Sequence, residues 1–162
     1  MAVCCHRFTI KMTIEEAIKQ TKKFRNEYER VAVNIAFTSN WLSDQFQSYL
    51  KQYGISQQQY NILRILRGQH PNPASVNLLK ERMIDKNSDV SRMIDRLLAK
   101  ELVIRNTCPD DRRSVNIFIS EKGLSILSEI DQDSGKQEHI IKGITEEEAK
   151  QLNELLDKIR TV

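Results

Sequence analysis

The clearest pattern of hydrophobic and polar positions in this chain lies in its centre. Apolar side chains recur there at intervals of three and four residues: Val90, Met93, Ile94, Leu97 and Leu98. This spacing places them in one stripe along an α-helix, so that the opposite side faces solvent. The pattern predicts an amphipathic helix over residues 88–100, with Ser88, Arg92, Asp95 and Arg96 on its polar side.

The spacing of apolar positions changes to every second residue directly after this helix. Residues 102–105 and 114–119 show this alternation and predict two β-strands. Residues 108–112 between them contain a proline and two aspartates. Proline presets φ, and aspartate side chains bind local backbone N–H groups, so these residues favour a turn. The two strands therefore predict a β-hairpin.

Residues 13–52 contain neither proline nor glycine, and apolar side chains recur there at roughly helical spacing. We expect one long helix or two abutting helices ending at Gly54, a residue type that favours helix termination. A helix of this length exposes more apolar surface than a chain of this size can cover. A second copy of the chain is the expected cover, so the protein is predicted to form a homodimer.

Two shorter helices are predicted between Gly54 and the amphipathic helix. Ser56 and Gln59 have the spacing of a capping box, which opens the first of them. Ser75 is placed to cap the second, which runs from Val76 to about Met83. The order short helix, turn, amphipathic helix and β-hairpin predicts a winged helix-turn-helix, mainly α-helical with a small β-hairpin wing.

Two further helices are predicted after the hairpin. The first covers about residues 121–141, with a break near Gly135. Thr145 and Glu148 form a second capping-box pattern that opens the last helix. That helix carries its own apolar stripe: Leu152, Leu155, Leu156 and Ile159.

The predicted organisation has four parts, and only the third contains the winged helix-turn-helix. They are a disordered leader (1–11), N-terminal dimerisation helices (12–54), the DNA-binding region (55–120) and C-terminal dimerisation helices (121–162). Met12 is an alternative start, because the helical pattern begins directly after it. No apolar run is long enough for a membrane span and no secretory signal is visible, so we expect a cytoplasmic protein.

Charge and cysteine content narrow the function classes only slightly. The net charge is +3, but residues 121–162 carry ten acidic and six basic side chains, whereas residues 1–79 carry five and ten. This asymmetry suits a protein with one anion-facing side, or it reflects chance on a solvated surface. Cys4, Cys5 and Cys108 lack zinc spacing and the histidines are scattered, so no metal or cofactor is expected.

The central region resembles the MarR (multiple antibiotic resistance regulator) family. The helix from Asp89 to Leu98 matches it, as does the family's pattern of D-x-R, a strand and L-T-x-x-G. That pattern is present here as Asp111-Arg112-Arg113 and Ile119-Ser120-Glu121-Lys122-Gly123. The resemblance extends over about residues 30–160.

Two positions depart from the family pattern. Glu101 stands where the family usually has glycine, and it would be strained if the turn requires a positive φ. Cys108 stands where the family commonly has aspartate. We expect its thiol to be exposed and incidental, with oxidant sensing as the alternative.

The resemblance implies a sequence-specific DNA-binding transcriptional regulator, expected to be a repressor. As a homodimer it would bind a pseudo-palindromic operator in double-stranded DNA. Ser88, Ser91 and Arg92 are expected to contact base edges in the major groove, and Lys86 and Arg96 to contact phosphates. The alternative is that Arg92 only forms surface ion pairs with the aspartates three residues before and after it.

The turn of the hairpin is expected to contribute further cations. The resemblance implies that Arg112 and Arg113 lie near the DNA backbone or minor groove and that Asp111 orients basic groups there. The alternative is that the aspartates only form the turn and that both arginines are solvated.

Many family members release DNA when a small, often aromatic ligand binds between the dimer helices and the winged domain. Phe37, Trp41, Phe46 and Tyr60 are the candidate lining here. Aromatic side chains at helical spacing more often form core or dimer interface, and that alternative is preferred.

Two other classes of protein compete with a DNA-binding regulator. An enzyme is disfavoured, because the chain has no glycine-rich phosphate loop and no hydrolase motif. A winged-helix module that binds other proteins remains the alternative, since fold does not determine function. The arginines on the expected DNA side favour DNA.

Overall fold

The computed structural model describes residues 12–107, 115–133, 141 and 143–161. The chain divides into two compact units, Met1–Asp44 and Gln45–Val162. The predicted leader, residues 1–11, lies outside the described residues. None of the helices in the described ranges combines the length and apolar character needed to cross a membrane.

The first unit contains helix α1 (Ile14–Ala17) and the larger part of helix α2 (Glu27–Leu50). The prediction of one helix or two abutting helices over residues 13–52 was wrong in this respect, since residues 18–26 are not helical. Lys19 lies in this interruption with φ at 53°, a left-handed conformation that ends a helix.

Local hydrogen bonds explain why α2 begins at Glu27. The Asn26 side-chain oxygen accepts the Glu29 backbone N–H at 2.9 Å, which satisfies a free donor of the first turn. The Glu29 carboxylate in turn accepts the Arg25 N–H at 2.7 Å. These polar groups favour a new helix start without any proline or glycine in the sequence.

The second unit contains the remaining elements. A 3₁₀ turn (Lys51–Tyr53) follows α2 and ends at Gly54, whose φ is 66°. In the described part of this unit five α-helices follow: α3 (Gln57–Gln69), α4 (Val76–Arg82), α5 (Val90–Ala99), α6 (Glu121–Gln132) and α7 (Glu146–Arg160).

The predicted helix starts of α3, α4 and α7 are confirmed by their capping hydrogen bonds. The capping boxes of Ser56 with Gln59 and of Thr145 with Glu148 are both formed. Ser75 accepts the Leu78 N–H at 3.1 Å. Helix α6 begins at Glu121 as predicted and ends at Gln132, where polar residues follow its last buried apolar residue, Ile130. The segment around Gly135 lies outside the described residues.

Among the residues that the structure describes, the sheet has three strands, one more than the predicted hairpin. They are β1 (Ala74–Ser75), β2 (Val103–Thr107) and β3 (Val115–Ile119), in the order β1-β3-β2 with antiparallel neighbours. Ala74 lies opposite Ile117 and Val103 opposite Ile119. The sequence did not predict β1, because a strand of two residues has no alternation of its own and forms only by pairing with β3.

The hydrophobic core belongs to the winged helix and the end of α2. Its fully buried large side chains are Leu50, Ile62, Leu63, Leu66, Leu79, Met83, Ile94, Leu97, Leu102, Ile117, Leu127 and Ile130. Helix α7 contributes none of them and has no buried residue. The core therefore holds the predicted recognition helix, α5, together with α3, α4, α6 and the sheet.

Candidate nucleic-acid interface

Helix α5 is the predicted recognition helix, and its two faces are as the sequence indicates. Val90, Ile94 and Leu97 are buried in the core, whereas Arg92 and Arg96 are exposed. The helix begins at Val90 rather than Ser88, because Asp89 is the N-cap and its carboxylate accepts the Arg92 backbone N–H at 3.1 Å. The apolar stripe thus anchors the helix and leaves its cations in solvent.

The carboxylates of α5 are not used for ion pairs with Arg92. Asp89 binds a backbone N–H, and Asp95 pairs instead with Arg105 of β2 at 2.5 Å. Within the described residues neither Arg92 nor Arg96 has an ion-pair partner. Two guanidinium groups on the outer face of one helix are therefore available to bind an anion.

The turn before α5 uses two of the predicted contact residues for its own structure. The Lys86 ammonium donates to the backbone carbonyl of Glu81 at 2.5 Å, near the end of α4. The Ser88 hydroxyl donates to the Asp85 carboxylate at 2.9 Å, and Ser88 is half-buried. Ser91, by contrast, is exposed on the first turn of α5.

The wing is attached to α5 by an ion pair that the sequence analysis missed. Arg105 lies opposite Ile117, on the side of the sheet that faces the core, and from there it reaches Asp95. Both side chains are largely exposed, so the pair contributes at most about 1 kcal/mol to stability. The tip of the wing, with Asp111, Arg112 and Arg113, lies outside the described residues.

The turn between α5 and β2 retains a positive φ although it lacks glycine. Glu101 has φ at 62°. Its N–H donates to the Leu98 carbonyl at 2.9 Å, and the Leu102 N–H donates to the Leu97 carbonyl at 3.0 Å. This is the Schellman pattern of a helix end, in which the residue at this position is usually glycine. The expected strain at Glu101 is therefore present.

The Glu101 side chain offsets part of this backbone strain by binding Lys122 of α6. The ammonium and carboxylate are 2.9 Å apart. The hydrogen bond and the charge of Lys122 lower the pKa of the Glu101 carboxyl below its ordinary value. Both side chains are exposed, so this is a solvated contact that links the turn to the first turn of α6.

The segment Ile119-Ser120-Glu121-Lys122-Gly123 joins the wing to α6. The Ser120 hydroxyl donates to the Glu101 carbonyl at 2.7 Å and accepts the Gly123 N–H at 3.0 Å. A Cβ on Gly123 would lie 2.4 Å from the Leu102 carbonyl oxygen. The serine and the glycine in this motif therefore serve the packing of α6 against the start of β2.

Two of the four predicted ligand-lining aromatics, Phe46 and Tyr60, lie in the second unit and are in contact. The rings of Phe46 and Tyr60 have centroids 5.7 Å apart. The buried Tyr60 accepts a hydrogen bond on its hydroxyl from Arg64 at 2.9 Å. Phe37 and Trp41 are exposed residues of the first unit. In the described residues, no group of three metal-ligating side chains could hold a metal ion.

Comparison with known proteins gives the same fold. The profile of the MarR family matches residues 55–115. The HTH-type transcriptional regulator MhqR of Bacillus subtilis (strain 168) is 24% identical over 119 residues, which is 73% of this chain and 81% of MhqR.

Two solved structures extend the likeness over most of the chain. A mutant MarR of E. coli in complex with operator DNA is 25% identical, with a TM-score of 0.73, and the match covers 86% of this chain and 99% of that one. Bordetella bronchiseptica BpsR, whose DNA binding is regulated by 6-hydroxynicotinic acid, is 22% identical, with a TM-score of 0.70 and coverage of 80% and 98%. Residues 55–115 thus match the MarR family, and over most of its length the chain has the fold of winged helix-turn-helix regulators of this kind.

Proposed function

We propose that the protein is a transcriptional regulator, acting as a repressor in the cytoplasm, that binds a pseudo-palindromic DNA operator as a homodimer. The observation that carries this proposal is the outer face of α5. Its arginines, Arg92 and Arg96, are exposed and have no ion-pair partner within the described residues. A helix with such a face fits the major groove, where base edges present a distinguishable pattern of donors and acceptors.

The residues of α5 and the preceding turn divide between two roles. We assign Ser91 and Arg92, on the first turns of α5, to base edges. We assign Arg96 and Lys86 to phosphates, which position the protein without reading sequence. Ser88 keeps a base-contact role only if its hydroxyl exchanges Asp85 for DNA.

The wing completes the proposed interface. Arg112 and Arg113 are assigned to the DNA backbone or minor groove beside the site of α5, and Asp111 to orienting them. The ion pair of Asp95 with Arg105 supports this arrangement, because it attaches the base of the wing to the recognition helix. The structure of E. coli MarR with operator DNA gives a relative of this chain in which DNA is bound.

The proposed homodimer rests on apolar side chains that their own chain leaves exposed. On α7 the exposed fractions of Leu152, Leu155 and Ile159 are 47%, 58% and 56%. On the part of α2 in the first unit, Val31 and Ile35 are exposed as well. Apolar stripes of this kind mark surfaces that bind another protein, and symmetric pairing of identical chains is the commonest solution.

A small aromatic ligand is the proposed signal for release of DNA. The regulation of BpsR by 6-hydroxynicotinic acid supports this in a relative. In this chain Phe46 and Tyr60 are the candidate contacts, with Arg64 beside them as a cation for an acidic ring substituent. Phe37 and Trp41 stay candidates from the sequence. We propose no catalytic activity, because the known relatives are transcriptional regulators.

The proposal is tested by selecting DNA duplexes from a random-sequence pool with the wild-type protein and measuring affinity for the recovered duplex. Arg92→Ala is expected to cost roughly 1–3 kcal/mol and to relax specificity at one position in each half-site. Arg96→Ala is expected to weaken binding to all sequences and to lower the salt slope by about 1. Lys150→Ala, on exposed α7, is the matched control.

Two results would contradict the proposal. The first is recovery of no enriched sequence together with binding that is insensitive to salt, which favours the protein-binding alternative. The second is a monomer at micromolar concentration in sedimentation experiments, which excludes the homodimer.

A further inference from the structure

One ammonium group in the second unit links the residue after α5 to the end of the 3₁₀ turn that follows α2. Lys100 is the residue that follows α5, and its Nζ donates to the Gly54 carbonyl at 2.5 Å and to the Gln59 side-chain oxygen at 3.2 Å. Gly54 closes the 3₁₀ turn after α2. Carbonyl groups at helix ends have no partner within the helix and carry partial negative charge. The Lys100 ammonium therefore stabilises the end of the 3₁₀ turn, where Gly54 is the C-cap.

The second acceptor connects Lys100 to the start of α3. Gln59 is buried, with 4% of its surface exposed. Its side-chain oxygen also accepts the Ser56 N–H at 3.1 Å, as half of the capping box that opens α3. The same oxygen thus serves the cap of one helix and the ammonium group at the end of another. The end of α5 is fixed to the turn after α2 and to the first turn of α3 by one side chain.

The apolar contacts of α5 do not provide this directional restraint, and its ion pair with Arg105 connects it to β2 rather than to α3 or the end of α2. Val90, Ile94 and Leu97 hold the helix by apolar packing, which favours burial but has little dependence on direction. A hydrogen-bonded cation has defined distances to its acceptors. Ten residues of α-helix are about 15 Å long, so a tilt of about 5° at the Lys100 end moves the first turn of α5 by roughly 1 Å.

We infer that Lys100 is a positioning residue, whose ammonium group sets the orientation of α5 relative to α3 and to the end of α2. This inference rests on the proposed function, because the orientation of α5 matters for base contacts by Ser91 and Arg92. Lys100 itself lies at the opposite end of the helix from Ser91. Two of the three donors of its ammonium group are used by protein acceptors.

The test compares Lys100→Met with Lys100→Arg and with Lys150→Met, a control on exposed α7. The probe is a fluorescent duplex recovered by selection from random-sequence DNA with the wild-type protein. Lys100→Met is expected to weaken binding about tenfold with the dependence of affinity on salt concentration unchanged, since no phosphate contact is lost. Lys100→Arg keeps a charged donor and is expected to stay within about twofold of wild type.

A measurement without DNA separates this inference from the proposed function. Hydrogen exchange of the backbone N–H groups of Glu101 and Leu102, at the end of α5, and of Gly54 is expected to accelerate together in Lys100→Met. It is expected to stay at wild-type rates in the control. If Lys100→Met does not fold, Lys100→Gln, which keeps a neutral donor, replaces it in both measurements.

Three outcomes would overturn the inference. Unchanged affinity in Lys100→Met shows that the contact does not position α5. A salt slope lowered by about 1 shows that Lys100 is a phosphate contact instead. If the wild-type protein enriches no duplex, the proposed function fails. In that case, unchanged hydrogen exchange at Gly54, Glu101 and Leu102 in Lys100→Met overturns the inference independently.

Discussion

Helices α5 and α7 have similar apolar stripes in sequence and opposite environments in the structure. Ile94 and Leu97 of α5 are completely buried within their own chain. Leu155 and Ile159 of α7 leave more than half of their surfaces exposed, at 58% and 56%. Periodicity thus predicts which face of a helix is apolar but does not indicate which surface will cover it.

The winged helix forms a hydrophobic core within one chain, whereas α7 does not contribute to that core. Helices α3 to α6 and the sheet bury their apolar faces against one another. Helix α7 obtains no such burial. On this comparison the winged helix needs only one chain for its stability, whereas the exposed stripe of α7 is the surface that the proposed homodimer would cover.

The largest effect is expected from charges placed on the exposed stripe. Leu152→Glu combined with Leu155→Glu should convert the homodimer to a monomer, because two carboxylates cannot be buried there without partners. Affinity for the selected duplex should fall by about 10²–10⁴-fold, since the two half-sites are then bound independently. Sedimentation and DNA titration measure the two effects.

Lys150→Glu is the matched control, because it changes the net charge by the same amount at an exposed position of α7 outside the stripe. It should remain dimeric. A double glutamate variant that still sediments as a dimer would show that the stripe of α7 is not the interface.

Within the winged helix, Leu97→Ala should have the next largest effect. Leu97 is completely buried, so the substitution leaves a cavity and should lower the free energy of unfolding by about 2–5 kcal/mol. Urea unfolding measures this. Ile159→Ala, made in the monomeric double variant, should change the free energy of unfolding by less than about 0.5 kcal/mol. Equal losses from both substitutions would mean that α7 is buried within its own chain.

The sequence predicted most of the winged helix because its local signals agree. Ser56, Ser75 and Thr145 each accept a first-turn N–H where the capping patterns indicated. The apolar face of α5 was predicted correctly, and the helix is shorter than the predicted 88–100, because Asp89 is its N-cap and Lys100 its C-cap. Patterns that depend on neighbouring residues are visible in the sequence alone.

The features that were missed depend on contacts distant along the chain. The pair of Asp95 with Arg105 and the contacts of Lys100 join separate elements, and periodicity gives no information on them. The interruption before α2 was missed for another reason. Its helix start is made by Asn26 and Glu29, in a sequence that lacks proline and glycine. The roles of the predicted DNA-contacting and ligand-lining residues stay predictions.

Gly123→Ala should have a moderate effect on stability, because it adds one atom where the packing is close. The new Cβ would lie 2.4 Å from the Leu102 carbonyl oxygen and 2.8 Å from the Ile119 side chain. Because one of these neighbours is backbone, α6 has to shift, and we expect a loss of about 1–3 kcal/mol in unfolding free energy.

The control for this substitution is Gly68→Ala in α3. A Cβ at Gly68 meets nothing within 4 Å, and alanine favours the helix by roughly 0.5–1 kcal/mol. Gly68→Ala should therefore stabilise the protein. Equal and small effects of the two substitutions would show that the contact at Gly123 relaxes without cost.

A smaller gain is expected at the turn after α5. Glu101→Gly removes the strain of a side chain at φ 62° and should raise Tm by roughly 2–4 °C in thermal unfolding. Glu101→Gln is the matched control, since it loses the charge facing Lys122 but keeps the strained backbone. If both variants have the same Tm, the left-handed conformation at Glu101 costs nothing and the Schellman geometry is not strained.

The smallest effect is expected from titration of Glu101. Lys122 lowers the pKa of this carboxyl below its ordinary value of 4.5, so the folded protein binds the proton less readily than the unfolded chain. The stabilising contribution is therefore present above pH 4.5 and is lost as the pH falls through the folded-state pKa. The Tm difference between wild type and Glu101→Gln should shrink on acidification. At neutral pH, 1 M salt should reduce it, because the pair is exposed.

A Tm difference that stays constant over the acid range would mean that the contact of Glu101 with Lys122 does not contribute to stability. The turn would then be held by its backbone hydrogen bonds alone.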